Sequence, residues 1–263
     1  MKFQAERFAA ALMVGMIMTA TPLFAQVAMP PPDPDPEVLE AAPSWATKLS
    51  FGFSMKSGNT ESDAYSGRIE SGITAHETIF AMMLEGNYAQ NTTTDSEGVE
   101  SDEQTEGNAK FNANVKQRFD GFYIYADELA QHDAIAEIKL RNVASVGLGT
   151  FLADSDAFKF SVDAGVAHVS ERALKDEDYF ALRFGQRLDW KPTDTVTVWE
   201  KIEVTPEPAD FDNTLVAFEV GIESALTDRM SLGVTLTVDH DSQPNEDVER
   251  TDTVLGAHVS LSI

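Results

Sequence analysis

From Trp45 to Ile263, apolar and polar side chains alternate with a period of two, in about twelve successive segments. Only a β-strand sends successive side chains to opposite faces, so the pattern predicts strands along this whole region. In the first segment Trp45, Thr47, Leu49, Phe51, Phe53 and Met55 share one face, and Lys48, Ser50, Ser54 and Lys56 the other. The stretch EGNAKFNANVKQRF sets Glu106, Asn108, Lys110, Asn112, Asn114, Lys116 and Arg118 against Phe111, Val115 and Phe119. Another segment is expected to turn Ile138, Leu140, Ala144, Val146 and Leu148 away from Lys139 and Arg141. Between Phe122 and His132 the period slips and no face can be assigned. The last segment lines up Leu255, Ala257, Val259, Leu261 and Ile263.

The connections between segments alternate in length. Short ones fall at 75–78, 120–121, 153–157, 191–194 and 227–229. Asp120-Gly121 is a strong hairpin signal, and Pro192 does not suit the middle of a ladder. Between them come longer, polar stretches: SGNTES, TTTDSEGVESDEQ, QHDAIA, SERALKDED, PEPADFDN and DSQPNEDVER. Short turns at one end and long loops at the other are the habit of a membrane barrel.

Alternation by itself also suits a soluble sandwich with its apolar faces turned inward. Here nearly every segment is equally long and amphipathic, the connections sort onto two ends, and the final segment ends in alternating apolar residues. In a bilayer no strand edge goes unpaired, so the sheet must close. The expected fold is all-β: a closed, up-and-down antiparallel transmembrane β-barrel of about twelve strands over residues 45–263.

Composition narrows the function. The net charge is −25 and the sequence pI about 4.3, so no basic stripe exists to displace the counterions of a nucleic acid. With no cysteine there is no disulfide, thiolate metal site or Cys nucleophile. Lys2 and Arg7 precede the apolar run Phe8–Ala20 and the small-residue stretch up to Ala25, which predicts a cleaved signal peptide over residues 1–25. Residues 26–44, with three consecutive prolines and repeated Asp-Pro, predict an acidic, extended, disordered lead-in.

If the apolar faces meet lipid, the interior receives Lys48, Arg68, Glu70, Glu85, Lys110, Lys116, Arg118, Lys139, Arg141, Arg183, Arg187, Lys201, Glu203, Glu219 and Glu223. Buried charges require partners or water. Either ion pairs brace a filled interior, or a hydrated path runs between charged walls that select ions or small solutes. Whether Glu203, Glu219 and Glu223 neutralise the basic wall of Lys110, Lys116 and Arg118 is the question the pattern poses.

Candidate chemistry is sparse. His132-Asp133 and His240-Asp241 read as polar pairs near strand ends, and His168 shares the apolar face of Val162 and Val166 with no serine assigned to it. The acidic stretch Asp95–Glu106 lacks the spacing of a calcium loop and suits loose cation association at a lipopolysaccharide surface. No catalytic residue, no cofactor and no bound metal are expected.

FGFSMKSGNTES (51–62), IKLRNVASVGLGTFL (138–152) and ERTDTVLGAHVSLSI (249–263) resemble the start, middle and end of domain-of-unknown-function family 481, the salt-induced outer-membrane proteins of Gram-negative bacteria. The resemblance spans 45–263. It implies an outer-membrane barrel in contact with lipid and lipopolysaccharide, and a role under salt stress. It supplies no catalytic or transport residues. The expected activity is a narrow passive pore or an envelope-integrity barrel; the alternatives are a non-conducting structural barrel and a lipid-acting enzyme. The pattern carries no signal for a solute, a gate or an oligomer interface.

Overall fold

A computed structural model describes residues 45–56, 60–94, 100–173, 176–245, 248 and 250–263. The expected leader and lead-in lie outside the described residues. The chain forms twelve strands: β1 (Ala46–Lys56), β2 (Thr60–Ala75), β3 (Thr78–Thr94), β4 (Glu100–Phe119), β5 (Phe122–Asp133), β6 (Ile138–Asp154), β7 (Phe158–Arg172), β8 (Glu177–Thr193), β9 (Val196–Glu207), β10 (Asp210–Ala225), β11 (Met230–Asp241) and β12 (Thr251–Ser262). Each pairs antiparallel with its neighbours in sequence, and β12 returns to β1 from Lys48↔Ser262 to Gly52↔His258. Closure removes both sheet edges, which is what a bilayer demands.

The alternation is laid out inside-out relative to a soluble protein. Asn112 is fully buried, whereas Phe51 is 65% exposed. Ile69, Leu84, Phe111, Val146, Val166, Phe184, Ile222 and Leu232 continue an apolar exterior round the barrel. Aromatic rings mark its rims: Trp45 against Phe80 and Phe119 stacked on Phe122 at the short-turn end, Phe53 against Tyr65 at the other. Such girdles are where amphipathic rings meet the two membrane–water interfaces. This exterior excludes a soluble sandwich, whose apolar faces would be buried.

The strands run further than the sequence suggests. The turns fall at residues 76–77, 120–121, 155–157, 194–195 and 226–229: the first, third and fourth are shorter than expected, the second is as expected and the last is one residue longer, with Gly121 at φ 83° supplying the left-handed residue of its two-residue hairpin. The expected loop PEPADFDN is reduced to residues 208–209 between β9 and β10, and all of SDEQ belongs to β4. The physical reason is that paired strands satisfy their own backbone groups and do not need lipid to continue past the apolar band. Pro192 falls within β8, where the pairing with β9 is interrupted between Trp190 and Thr193.

β5 explains why its period could not be read. Tyr123, Tyr125, Asp127, Leu129, Gln131 and Asp133 point inward; Phe122, Ile124, Ala126, Glu128, Ala130 and His132 point outward. The alternation is regular, but each face mixes polar and apolar residues. On β6 the register shifts between Gln131 and Asp133 of β5, so Ile138 is buried and Lys139 exposed, the reverse of the expectation. A bulge of this kind reverses which side chains face in.

Besides Asp178 near the start of β8, Glu200 and Glu128 break the apolar exterior. Glu200 accepts a hydrogen bond from Gln186 Nε2 at 2.9 Å. Glu128 is exposed, with Ala113 and Ala144 opposite it and Ala126 and Ala130 beside it on its own strand.

Candidate permeation site

The interior divides into two halves. Along β5–β8 it is filled. Arg183 binds Asp163 at 2.7 Å and Glu203 at 2.6 Å, and its guanidinium lies 4.8 Å from the Tyr125 ring centroid. Asn112 and Asn114 donate to Asp127 at 3.1 Å, completing a buried polar layer. An apolar cluster of Met83, Leu129, Val143, Ala167, Val169, Ala181, Leu215 and Ala217 brings β3 and β10 into contact with this wall. At the long-loop end Arg141 pairs with Glu171 and reaches across to Asp241 at 2.9 Å, five strands round the barrel.

The other half holds a partly open cavity of about 380 Å³ bordered by β1–β4 and β8–β12. Among the described residues, none of β5, β6 or β7 borders it. Its walls carry Lys48, Arg68, Lys110, Arg187 and Lys201 together with Glu70, Glu85, Glu106, Asp189, Glu219, Glu223 and Asp239. Arg68 sits at the centre of a cluster, 3.0 Å from Glu70, 3.5 Å from Glu85 and 3.4 Å from Glu219. Glu219 also accepts from Trp199 Nε1 at 2.6 Å and lies 3.3 Å from Lys201. Lys48 pairs with Glu223 at 2.5 Å, and His258 Nε2 lies 3.5 Å from the same carboxylate. Arg187 pairs with Asp189 at 2.5 Å.

Local sequence makes room for this geometry. The indole of Trp199 lies flat over Gly221 on the neighbouring strand; a Cβ there would stand 2.1 Å from Cζ2. Only glycine lets the ring lie against the wall, which aims its N–H at Glu219 and keeps the centre of the barrel clear.

Each of the acids the pattern offered to the basic wall of β4 has a base on another strand as a partner. Glu203 serves Arg183, Glu219 serves Arg68 and Lys201, and Glu223 serves Lys48. Lys116 instead lies 5.1 Å from the Tyr123 ring centroid, and Arg118 pairs with Asp154 and covers the Phe151 ring at 4.5 Å. Lys110 stays on the cavity wall beside its register partner Glu85. Lys139 joins none of these groups; its carbonyl accepts from His132 Nδ1 at 3.1 Å. The side chain of Lys56 lies outside the described residues.

Sequence reasoning passed over half of the chemistry. Asp127, Asp163, Glu171, Asp189, Asp239, Asp241 and Asp252 are further inward acids; alternation already puts Asp163, Asp189 and Asp239 on the polar faces of their segments, whereas the mixed faces of β5 hide Asp127. On the exterior, His168 Nε2 meets Asp178 Oδ1 at 2.7 Å, and Ser170, two residues along the same face, stands opposite Asp178 in register. A serine is therefore near His168 after all. No hydrogen bond joins the two among the described residues, so no base is positioned to activate it.

A family model described as "Protein of unknown function, DUF481" matches residues 49–262. No curated protein matches the chain in sequence. Among solved structures, the NanC porin aligns with a TM-score of 0.53 at 10% identity, covering 82% of this chain and 100% of that one. The KdgM porin aligns at 0.46 and 10% identity, covering 84% and 99%. An anion-selective porin from Comamonas acidovorans aligns at 0.41 and 7% identity, covering 84% and 99%. At these identities the likeness is one of fold. By the match along almost the whole barrel, the chain belongs to the DUF481 family.

Proposed function

We propose that this barrel is a narrow passive pore of the Gram-negative outer membrane, passing ions or small polar solutes. The observation that carries the reading is the partly open cavity of about 380 Å³, with acids and bases on its wall, inside a closed barrel with an apolar exterior. Charged walls of this kind select by field and by hydrogen bonding, not by covalent chemistry. The barrel shared with the NanC porin supports the same class. In this reading residues 1–25 are a cleaved leader, the short turns face the periplasm, and the longer loops meet lipopolysaccharide. The barrel has no enzymatic step and needs no cofactor. A role in keeping the envelope intact under salt stress follows from the family resemblance.

The decisive experiment is planar-bilayer recording on the purified, folded protein. Discrete current steps in potassium chloride are expected. Their absence across salts and voltages would overturn the pore.

A second reading, a non-conducting structural barrel, is favoured by one specific feature. The Arg141–Asp241 bridge and the apolar cluster tie opposite walls together. Silence of the wild type together with current from Arg141→Ala would support that reading.

A further inference from the structure

We propose that the cavity opens sideways through the barrel wall between β1 and β12, and that this port admits the zwitterionic head of a membrane amphiphile while its hydrocarbon chain stays in the bilayer. The seam that closes the barrel is its shortest. β1 and β12 share five register pairs, Lys48↔Ser262 to Gly52↔His258, and Thr47 and Ile263 exchange backbone hydrogen bonds below them. The other neighbouring strands share between eight and seventeen pairs. Beyond Gly52 the two strands run on without each other. Among the described residues, 53–56 of β1 pair only with β2, and 253–257 of β12 only with β11.

Unpaired strand edge is costly against lipid and tolerated where it lines a hydrated space. Gly52, Phe53, Val254, Gly256 and Ala257 border the cavity, which gives both edges that space. Two further observations put an opening there. Phe53, Tyr65 and Ala257 are exposed on the outer face, yet they border the same cavity as the inward Arg68 and His258. A void that touches both faces of a sheet passes through it. A Cβ built on Gly256 meets no atom within 4 Å, so the wall is open at that point of β12. Pairing between β8 and β9 also stops early, at Phe184↔Val204, but Arg183, Glu203 and Thr205 are buried there and lie off the cavity.

Height and chemistry set the ligand. The six residues from Thr47 to Gly52 rise about 15 Å at a strand rise of 3.3 Å and the usual tilt, in an apolar band about 25 Å tall. The port therefore starts near the long-loop rim, beside the Phe53 and Tyr65 rings, whose centroids lie 5.1 Å apart. That is the level where lipid heads meet hydrocarbon. Inside the port, Lys48 with Glu223 and Arg68 with Glu70 offer both signs of charge. Outside it, Phe51 and Phe53 offer exposed rings. A head carrying both charges finds partners on the inner wall, and its chain lies along the two rings.

The port goes beyond the pore reading and does not need it. The chain has no cysteine, so engineered pairs report on the seam alone. Phe51→Cys/Val259→Cys joins register partners; Phe53→Cys/Ala257→Cys would be the next pair of the same hydrogen-bonding type, since the two types alternate. A disulfide needs Cα atoms within about 7 Å, so in vesicles with copper phenanthroline the first pair is expected to oxidise at least about tenfold faster. Equal rates would overturn the port. The ligand is read from Trp199 on the cavity wall, the sole tryptophan once Trp45 and Trp190 are replaced by Phe. A lysophospholipid with a nitroxide on its choline head is expected to quench Trp199 saturably. Gly256→Phe fills open space without overpacking and is expected to cut that quenching at least about twofold. The same head without a chain should act equally on both proteins. No quenching by the lysophospholipid, or none lost in Gly256→Phe, would overturn the ligand. A loss shared by the chainless head would overturn sideways entry. Absence of current in the bilayer recording would sink the pore and leave these results standing.

Discussion

The two halves of the interior hold similar charges and treat them differently. On the β5–β8 side, Arg183 is enclosed by Asp163, Glu203, Tyr125 and the Asn112–Asp127 layer, and 3% of it is exposed. On the β1–β3 and β10–β12 side, Lys48 and Arg68 touch their acids beside a cavity, with side chains 29% and 20% exposed. The first arrangement braces a wall. The second lines a void. The difference lies in what surrounds the paired charges: aromatic rings and amides in one half, a cavity in the other. Ion pairs surrounded by packed groups lose their solvent and fix geometry. Ion pairs beside water keep screening and can exchange partners with a passing ion.

If the packed half is a brace, breaking it should cost the most. Arg183→Ala leaves Glu203 and Asp163 buried without their partner, and a loss of about 3–5 kcal/mol is expected, read by urea unfolding in lipid vesicles. Replacing Arg183 and Glu203 together by Met and Leu should recover much of it, because the uncompensated charge goes too. An unchanged midpoint in Arg183→Ala would show that water reaches this layer and that the halves are alike. Next in size is Gly221→Val. The added side chain must evict the Trp199 ring from the wall, at about 1–3 kcal/mol, and push it into the cavity. Conductance should drop with stability; a variant that loses stability yet conducts normally would show that the path avoids Trp199.

How much of this was legible in sequence depends on whether a face was pure. β1, β4 and β12 separate polar from apolar cleanly, and their alternation placed strand and face together. β5 puts Tyr123, Tyr125 and Leu129 inside and Glu128 outside, so the same rule had nothing to count. The inward apolar residues exist because a filled half needs packing like any core, and a hydropathy pattern cannot separate an inner apolar face from an outer one. The bulge that swaps Ile138 and Lys139 is a backbone event with no residue signature. For the site, the parity was readable and the pairing was not. Which acid meets Arg68 or Arg141 depends on shear and on distances across the lumen, as when Arg141 finds Asp241 a hundred residues away.

The exterior extends the comparison between water-facing and enclosed charge to lipid. Glu128 lies six residues from the Phe122 end of β5, which at a strand rise of 3.3 Å and the usual tilt is about 15 Å into an apolar band about 25 Å tall. Four alanines surround it and among the described residues no donor reaches its carboxyl, so Glu128→Leu is expected to stabilise the barrel by about 1 kcal/mol in vesicles. A destabilised variant would mean that the carboxyl has a partner in the membrane.

The smallest effect on stability belongs to the cavity half and sharpens the contrast most. Lys48 is the least enclosed of the cavity's paired bases, and its partner Glu223 also has His258 within 3.5 Å. Lys48→Ala should therefore shift the unfolding free energy by less than about 1 kcal/mol, since a partly solvated pair gains little over its separate ions. The same change removes a positive charge from the wall and leaves Glu223 facing the void. Cation preference should rise, by about twofold in permeability ratio, while the unfolding midpoint stays put. A residue whose loss moves selectivity without moving stability belongs to a path. If Lys48→Ala instead destabilises as much as Arg183→Ala, the void is as structural as the brace and the two halves do one job.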